Sequence, residues 1–369
     1  MRRRRLLAGL ASLGAVGAVV GGRVLARPDA PGGPEELGPG PFSPSQAVIP
    51  RGPGHHAGMN LAHLHRGDVG YGSAACRVQL ARLRDMGVTH VALTPFGYVG
   101  RLDSTDIRFG ASLDRTLSDA VLVKTAQDAA ALGLKVCLKP HIWSRSFWTG
   151  GKSRQDISPE GGNWALWFER YTAFAVHYAR VAREMNASLY VIGLEYLLAT
   201  EGNPGAWADV ATKVRVEFAG PLTYAANWWK EYEVFADWSS FDYIGVNAYF
   251  PLSKAADPDA AALVKAWGPH LDAMGAVAER VGKPVLFAEA GLRSVRGAAE
   301  RPWDQGLPGE TDPALQARAV EALLAAAGAR PWFRGVYWWK WFTDQRAAED
   351  DAYDLAGGPA EAVLARWWG

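Results

Sequence analysis

The chain has 369 residues, of which 49% are hydrophobic and 21% charged, so it can bury a sizeable core, and a single α/β barrel reaches this length. The formal net charge of +1 hides an asymmetry, because five arginines and no acidic residue lie in the first 26 positions. The remainder carries 34 basic and 38 acidic side chains, which excludes a generally basic surface for nucleic acid.

The chain has two cysteines, Cys76 and Cys137. They lack the spacing of a metal site, and we expect two buried thiols.

The N-terminal segment, residues 1–26, has the pattern of an export signal. Four consecutive arginines from Arg2 to Arg5 precede an apolar run at residues 6–22, and adjacent arginines in this place also fit a twin-arginine signal. We therefore expect export to the periplasm or the extracellular space. The alternative is an uncleaved anchor that tethers the protein to a membrane, although the run is shorter than the roughly 20 residues of a stable span. Residues 27–53, rich in Pro and Gly, are predicted to form a linker.

Eight apolar segments typical of buried strands follow, and helical patterns separate them. Strands are predicted at residues 58–63, 89–95, 134–141, 188–195, 221–227, 243–249, 284–289 and 335–341. The plainest helices are predicted at residues 74–86, 118–132, 163–186, 260–281 and 313–327. Glycines close four of these helices, as expected at helix C-termini: Gly87, Gly133, Gly282 and Gly328.

Eight consecutive βα units predict an α/β protein with a single (β/α)8 TIM barrel over residues 54–369. An open doubly wound sheet is the competing fold, but it seldom needs eight strands. It would also carry a glycine-rich phosphate turn after its first strand, and no GxGxxG or GxxxxGK[ST] motif occurs. In a barrel of this kind the active site lies at the C-terminal ends of the strands.

Two glutamates, Glu195 and Glu289, end the fourth and the seventh predicted strands. A carboxylate is expensive to bury, so the end of an apolar strand is the first place where it can meet a solvated cleft. Paired carboxylates at a barrel mouth suit the cleavage of glycosidic bonds, with one group as proton donor and the other as nucleophile or base. The alternative is that each glutamate is a structural strand-end residue, held by an arginine or a backbone amide.

Aromatic, His and Asn side chains also gather at the predicted strand ends. Aromatic faces stack on sugar rings, while Asn and His bond hydroxyl groups, so these residues suit a carbohydrate-binding groove. The candidates are His63, Phe96, His141, Trp143, Asn227, Trp228, Asn247, Tyr249, Trp339 and Trp341. Many of the 16 tryptophans must nevertheless be structural.

Six segments, in order and at strand ends, carry a family resemblance. They are residues 59–63 (MNLAH), 93–98 (LTPFGY), 139–143 (KPHIW), 222–228 (LTYAANW), 242–251 (DYIGVNAYFP) and 335–341 (GVYWWKW). This set resembles glycoside hydrolase family 113, a clan A family of TIM-barrel enzymes known for β-mannanase activity. The resemblance covers about residues 58–341.

The resemblance implies a retaining, endo-β-mannanase-like hydrolase that cleaves β-linked, β-1,4-mannan-type carbohydrate by double displacement, without a cofactor or a metal. Glu195 would be the general acid/base and Glu289 the nucleophile, with Tyr249 bonded to the nucleophile. A tryptophan of strand eight, Trp339 or Trp341, would stack beneath the sugar at the cleavage site. One departure is Leu194, because clan A enzymes usually place a polar residue, which bonds the sugar 2-hydroxyl, immediately before the acid/base.

Chemistry sets further expectations for the two glutamates. We expect Glu195 and Glu289 to face one another across the barrel mouth with their carboxyl groups about 5 to 5.5 Å apart, the separation that retaining enzymes use. Inverting enzymes hold the two groups about 6.5 to 9.5 Å apart. Burial and the nearby Glu289 charge should raise the pKa of Glu195, so that it can act as an acid. Tyr249, together with Arg or Asn donors, should keep Glu289 ionised.

Three other functions remain open from the sequence. One is a barrel that binds cell-envelope or environmental glycan but cleaves it weakly or not at all, as Leu194 would suggest. Another is a metal-dependent amidohydrolase, suggested by His63 and His65, but the predicted strands five and six end in Asn227 and Tyr249 where further histidine ligands would be needed. A cell-envelope scaffold would require a groove without sugar affinity. The sequence does not indicate an oligomeric state.

Overall fold

A computed structural model describes residues 54–110, 113–114, 117–147, 151–346 and 351–369, all of which belong to one compact unit. The predicted export signal (residues 1–26) and linker (residues 27–53) lie outside the described residues. Within the described ranges, no helix has the length and apolar character needed to cross a membrane.

The described residues form ten β-strands, and eight of these strands close into a parallel barrel. The strands are β1 (His56–Ala62), β2 (His90–Leu93), β3 (Phe96–Val99), β4 (Lys135–Leu138), β5 (His141–Ser144), β6 (Leu189–Leu194), β7 (Leu222–Asn227), β8 (Ile244–Asn247), β9 (Val285–Ala290) and β10 (Phe333–Phe342). The barrel order is β1-β10-β9-β8-β7-β6-β4-β2. The predicted (β/α)8 TIM barrel is confirmed.

The second and third barrel strands in chain order, β2 and β4, are each followed by an outer piece of strand beyond a proline. Pro95 separates β2 from β3, and Pro140 separates β4 from β5, because proline has no N–H with which to continue a ladder. The outer pieces, β3 and β5, pair with each other in parallel as a small separate sheet above the barrel strands that precede them. This sheet carries three of the candidate site residues, Phe96, His141 and Trp143, beyond the ends of the barrel strands.

Nine α-helices surround or cap the strands in the described part of the chain. They are α1 (Ala74–Asp85), α2 (Asp119–Ala130), α3 (Trp164–Glu184), α4 (Leu197–Gly202), α5 (Ala206–Glu217), α6 (Glu231–Val234), α7 (Ala260–Val281), α8 (Pro313–Gly328) and α9 (Pro359–Trp368). The five predicted helices agree with α1, α2, α3, α7 and α8 to within two residues at each end. Gly282 ends α7 in the left-handed region at φ 70°, a conformation that glycine adopts without a steric penalty.

The apolar core has two layers. Small and branched side chains fill the barrel interior, whereas a larger aromatic-rich layer lies between the strands and the helices. Leu194 belongs to the interior cluster and is inaccessible to solvent. Cys76 and Cys137 are buried free thiols, as predicted.

Candidate active site

Asn247 lies next to both glutamates at the mouth of the barrel. Asn247 ends β8, pairs in register with Glu289 of the neighbouring β9, and donates a hydrogen bond of 2.9 Å from its Nδ2 to Oε1 of Glu195. Glu195 directly follows β6 and has φ 57°, a left-handed backbone that non-glycine residues seldom adopt. Outliers of this kind concentrate at functional sites. Asn247 thus bonds the carboxyl group of Glu195 through its side chain and lies beside Glu289 through its backbone.

The carboxylate of Glu289 is held at both oxygens. Nζ of Lys139 lies 2.7 Å from Oε1, and the Tyr249 hydroxyl donates to Oε2 at 2.9 Å. Lys139 is 1% exposed and Glu289 6%, so this ion pair is shielded from water. Burial lowers the pKa of Lys139, and the Glu289 charge opposes that effect. An ammonium and a hydroxyl donor together favour the ionised carboxylate that a nucleophile requires.

Glu195 has a different environment. Nη1 of Arg154 donates to its Oε2 at 3.0 Å, opposite the Asn247 bond, and 17% of the glutamate side chain stays exposed. Burial raises the pKa of Glu195 above its ordinary value, and the Glu289 charge adds to the rise. The Arg154 guanidinium and the Asn247 hydrogen bond act in the opposite direction without reversing it. Of the two carboxyls, Glu195 is therefore suited to hold a proton.

The ring of His141 connects the surroundings of the two glutamates. Its Nδ1 lies 3.1 Å from Nη2 of Arg154, and because a guanidinium only donates, Nδ1 accepts and the proton lies on Nε2. Nε2 is 3.9 Å from Oε1 of Glu289 and has no hydrogen-bond partner among the described residues. Burial, with the Arg154 and Lys139 charges, lowers the pKa of His141 well below its ordinary value, so the ring is neutral. One buried N–H thus remains available as a hydrogen-bond donor.

Of the two candidate tryptophans on β10, only Trp339 lies at this site. Its ring is nearly parallel to that of His141, at 15° and 6.0 Å between centroids, and Nζ of Lys139 is 5.4 Å from its centroid. The sequence assigned Trp341 to the groove as well, and the structure corrects this. Trp341 is fully buried, donates from Nε1 to Gln79 of α1 at 3.0 Å, and stacks under Arg82.

A β-bulge explains why Trp339 and Trp341 do not share a face. Met59 pairs with Trp338 and Leu61 with Trp341, so three steps along β10 match two along β1. The extra residue reverses the alternation of side chains beyond it. Trp338 and Trp341 consequently both join the layer beneath the helices, and Trp339 remains at the mouth.

The other candidates lie farther from the glutamates or make local contacts. Phe96 borders the site, with its ring centroid 5.8 Å from that of His141 in an edge-to-face arrangement. Trp143 packs at 6.1 Å against Tyr98 of β3, and Oδ1 of Asn227 accepts from the backbone N–H of Trp229. Trp228 stacks on Trp303.

His63 lies in a cluster with His65 and Asp114, whose ligand-type atoms are all within 4.8 Å of one another. The backbone N–H of Tyr71 donates to Nδ1 of His63 at 3.0 Å, so the proton of the neutral ring lies on Nε2. A histidine that binds a metal through Nε2 instead keeps its proton on Nδ1 and donates it to an acceptor. The tautomer thus suits a hydrogen-bonded cluster, in which Nδ1 of His65 lies 2.5 Å from Oδ2 of Asp114.

Two residues of the site, Lys139 and Arg154, were missed in the sequence. We expected Arg or Asn donors on Glu289, but the structure places Arg154 and Asn247 on Glu195 and gives Glu289 the ammonium of Lys139. A lysine inside an apolar strand was the available signal for Lys139, because such a charge must be paired if the strand is buried. Arg154 lies in a short 3-10 turn before α3, where no periodic pattern marks it.

Comparisons with known proteins identify the family and support the fold. The sequence profile of Glycoside Hydrolase Family 113 matches residues 63–358. A β-mannanase of that family from Alicyclobacillus acidocaldarius, solved with ManMIm, is 30% identical with a TM-score of 0.73, over 87% of this chain and 98% of that chain. A further β-1,4-mannanase of the family is 26% identical with a TM-score of 0.73, over 85% and 98%.

A family 5 mannosidase from Rhizomucor miehei, at 12% identity and a TM-score of 0.55 over 85% of this chain and 92% of that chain, shares the fold alone. Comparison with curated protein sequences finds no match. Because the family profile spans most of the chain, the chain belongs to glycoside hydrolase family 113 and is a glycoside hydrolase built on a (β/α)8 barrel.

Proposed function

We propose that this glycoside hydrolase is a retaining endo-β-mannanase. The observation that carries the mechanism is the contrast between the two glutamates. Lys139 and Tyr249 hold both oxygens of Glu289, which favours its ionised form. Burial raises the pKa of Glu195, which favours its protonated form. A carboxylate and a carboxylic acid in one site are the two groups that double displacement requires.

The reaction then proceeds in two steps. Glu195 donates its proton to the glycosidic oxygen as that oxygen leaves the anomeric carbon, and the Glu289 carboxylate forms a bond to the same carbon. In the second step, Glu195 takes a proton from water, and the water oxygen displaces Glu289 from the anomeric carbon. Both carboxyl groups return to their starting states. The direct attack requires a carboxyl separation of about 5 to 5.5 Å, which stays a prediction.

The substrate assignment to β-1,4-mannan rests on the family and on the groups around the site. The similar solved structures are described as β-1,4-mannanases or β-mannanases. Beside the nucleophile, Trp339 offers an aromatic face and Nε2 of His141 offers a buried hydrogen-bond donor.

We also propose that residues 1–26 direct export of the enzyme. A mannan polymer does not cross a cell envelope, so export would bring the enzyme to its substrate.

Leu194 is the one feature that favours a second function, a barrel that binds glycan without cutting it. Its side chain lies in the apolar barrel interior and cannot bond a sugar hydroxyl. Asn247 places an amide beside Glu195 instead, and its Oδ1 has no partner within the described residues. Because both carboxyl groups keep polar surroundings suited to their roles, we favour catalysis.

The experiment that tests this proposal is product analysis with β-mannan, glucomannan, β-glucan and chitin-type oligosaccharides. We expect internal cleavage of mannan and glucomannan. Proton NMR during hydrolysis should show the β-anomer as the first product, since two displacements restore the configuration. An α-anomer formed first would exclude the retaining mechanism. Binding without release of products would leave the glycan-binding function.

A further inference from the structure

Glu231 is a fully buried carboxyl group that has no hydrogen bond to either catalytic glutamate within the described residues. It begins α6 and is inaccessible to solvent. The Tyr224 hydroxyl donates to its Oε1 at 2.6 Å, and the Thr200 hydroxyl donates to the same oxygen at 2.8 Å. The backbone N–H of Asn227 donates to its Oε2 at 2.7 Å. Burial of a carboxyl group costs free energy that these three donors offset, and each donor is in turn fixed by its bond to Glu231.

The Tyr224 hydroxyl connects Glu231 to the backbone beside Glu195. The N–H of Tyr196 donates to the Tyr224 oxygen at 2.7 Å. Because an N–H only donates, Tyr224 accepts there and directs its own proton to Glu231, which is closer than its other neighbour, the Thr200 hydroxyl at 3.4 Å. The Tyr196 N–H belongs to the peptide bond that follows Glu195. This hydrogen bond therefore fixes the backbone torsion that sets the direction of that peptide bond.

Glu195 needs such support because its backbone is strained. With φ 57° it lies in the left-handed region, where its Cβ approaches the backbone too closely. A residue keeps this conformation only where the surrounding structure holds it. Two backbone bonds do so here: the N–H of Glu195 donates to the Ala225 carbonyl at 3.0 Å, and the N–H of Tyr196 donates to Tyr224. Loss of the second bond would release one side of the residue that carries the acid.

The other oxygen of Glu231 reaches the side chain of Glu195 by a second route. Asn227, whose N–H it accepts, ends β7 and pairs in register with Asn247 at the end of β8. Asn247 donates from Nδ2 to Oε1 of Glu195. One buried carboxyl group thus supports Glu195 at its backbone through Tyr224, and at its side chain through two neighbouring strand ends.

We propose that Glu231 is a positioning residue for the general acid Glu195 and acts on it through the Tyr224 hydroxyl. Glu231 contacts no reacting atom. It holds the Glu195 carboxyl where its proton reaches the glycosidic oxygen, and a misplacement of about 1 Å can lower a rate about 10²-fold. The inference rests on the proposed function, because it takes the role of Glu195 from there. A carboxyl group with a structural role alone would affect folding but would not distinguish between substrates.

The test is Tyr224→Phe, which removes one hydroxyl and leaves Glu231 in place. Two substrates are compared: β-1,4-mannohexaose, whose leaving group needs a proton from Glu195, and dinitrophenyl β-mannobioside, whose leaving group needs none. On the hexaose we expect kcat/KM to fall about 10- to 100-fold, mainly through kcat, because no group that touches the sugar is altered. On the dinitrophenyl substrate, kcat/KM reports only the formation of the glycosyl-enzyme. It should change less than about twofold, which also shows that the variant is folded.

Glu231→Gln is the second variant, because its amide opposes the Asn227 N–H and disturbs the other route as well. With activity expressed per folded molecule, it should show the same selective loss on the hexaose. Tyr190→Phe is the matched control. The Tyr190 hydroxyl is as deeply buried as that of Tyr224 and donates to the Ala175 carbonyl at 2.8 Å, near the start of β6. Its removal should change kcat/KM on both substrates by less than about twofold.

The positioning role would be overturned by equal losses on the two substrates in Tyr224→Phe or Glu231→Gln, by no loss on the hexaose, or by a selective loss in Tyr190→Phe. Glu195→Ala, measured alongside, separates the two levels of the argument. If it shows the selective loss and Tyr224→Phe does not, the positioning role alone fails. If Glu195→Ala shows no selectivity, the acid assignment fails and the positioning role fails with it.

If the unaltered protein cleaves neither substrate, the proposed function fails. A crystal structure of Tyr224→Phe then decides the positioning role. A Glu195 carboxyl displaced from Asn247 and Arg154 would support it, and an unmoved carboxyl would overturn it.

Discussion

Lys139 and Glu289 form an ion pair of 2.7 Å in which neither side chain has appreciable contact with solvent. Removing one partner of such a pair leaves an uncompensated buried charge. We predict that Lys139→Met lowers the free energy of unfolding by about 3 to 5 kcal/mol. It should also strongly reduce kcat, because Glu289 loses the ammonium group that holds one of its carboxylate oxygens. Urea unfolding and steady-state kinetics measure the two effects.

The control for this prediction is Lys124→Met. Lys124 forms a surface ion pair of 2.6 Å with Asp128 and is 51% exposed, so its loss should change stability by less than about 1 kcal/mol. The double variant Lys139→Met with Glu289→Gln should recover part of the stability of Lys139→Met without recovering activity. If Lys139→Met and Lys124→Met had equal free energies of unfolding, the buried ion pair would contribute no more to stability than the exposed pair does.

The roles of the two glutamates can be separated with an activated substrate. Glu195→Ala should lose about 10²- to 10⁴-fold on mannan but keep turnover on an aryl glycoside whose leaving group needs no proton. Added azide should increase that turnover, because azide attacks the glycosyl intermediate without a base. Glu289→Ala should lose turnover of every substrate, because no covalent intermediate can form. Rescue of Glu289→Ala in place of Glu195→Ala would reverse the two roles.

Arg154 provides a test through the pH profile. The acid form of Glu195 is the active form, so kcat/KM should fall as the pH rises through its pKa. The Arg154 guanidinium opposes the rise in the pKa of Glu195 that burial causes. In the pH profile of kcat/KM, Arg154→Met should therefore move the decline at high pH, which we call the alkaline limb, to a higher pH. Arg180→Met, which removes an exposed ion pair with Glu217, should leave the limb in place. An acid shift in Arg154→Met would contradict this account.

Glu231 links protein stability to pH. Its buried carboxyl accepts from Thr200, Tyr224 and the Asn227 backbone, and burial nevertheless raises the pKa of Glu231 to about 7. The native state thus binds this proton more tightly than the unfolded state, whose pKa is about 4.5. The contribution is fully present below about pH 4.5 and is lost by about pH 7, so stability falls over that window by a few kcal/mol.

Unfolding free energies at pH 5 and pH 8 measure this effect. Glu231→Gln should be destabilised at both values, because its amide faces the Asn227 N–H, but its stability should fall less between them. Glu195 also has a raised pKa, and its effect is common to both proteins, so the difference in slope isolates Glu231. Parallel pH dependences in the two proteins would contradict the raised pKa.

The sequence predicted those parts of the site that depend on strand ends. Apolar runs locate the ends of barrel strands, and every such end meets the same mouth, which is why Glu195, Glu289, Asn247 and Tyr249 could be grouped. Lys139 was not recognised because its partner lies 150 positions away. Arg154 lies on a connection whose path no periodic pattern predicts. The bulge in β10 has no local signature, so Trp341 was assigned to the wrong face.

Trp339 and Trp341 are two positions apart on β10, but substitutions at these positions should have opposite effects. Trp341 is fully buried and bonded to Gln79, so Trp341→Ala should lower the free energy of unfolding by about 3 to 5 kcal/mol. The kcat/KM of the protein that remains folded should change little. Trp339 is partly exposed at the mouth, so Trp339→Ala should lose less stability. Its kcat/KM on mannooligosaccharides should fall by about 10²-fold, because the attacked sugar loses the surface that orients it.

Thermal unfolding and kinetics on the same preparations distinguish the two variants, with activity expressed per folded molecule. Trp341→Phe is a useful third variant. It keeps an aromatic ring beneath Arg82 but loses the Nε1–H that reaches Gln79, so it should lie between the unaltered protein and Trp341→Ala in stability. The opposite result would be a Trp341→Ala variant of unchanged stability with a much lower kcat/KM, together with a fully active Trp339→Ala variant. It would mean that Trp341, and not Trp339, faces the mouth of the barrel and contacts the sugar.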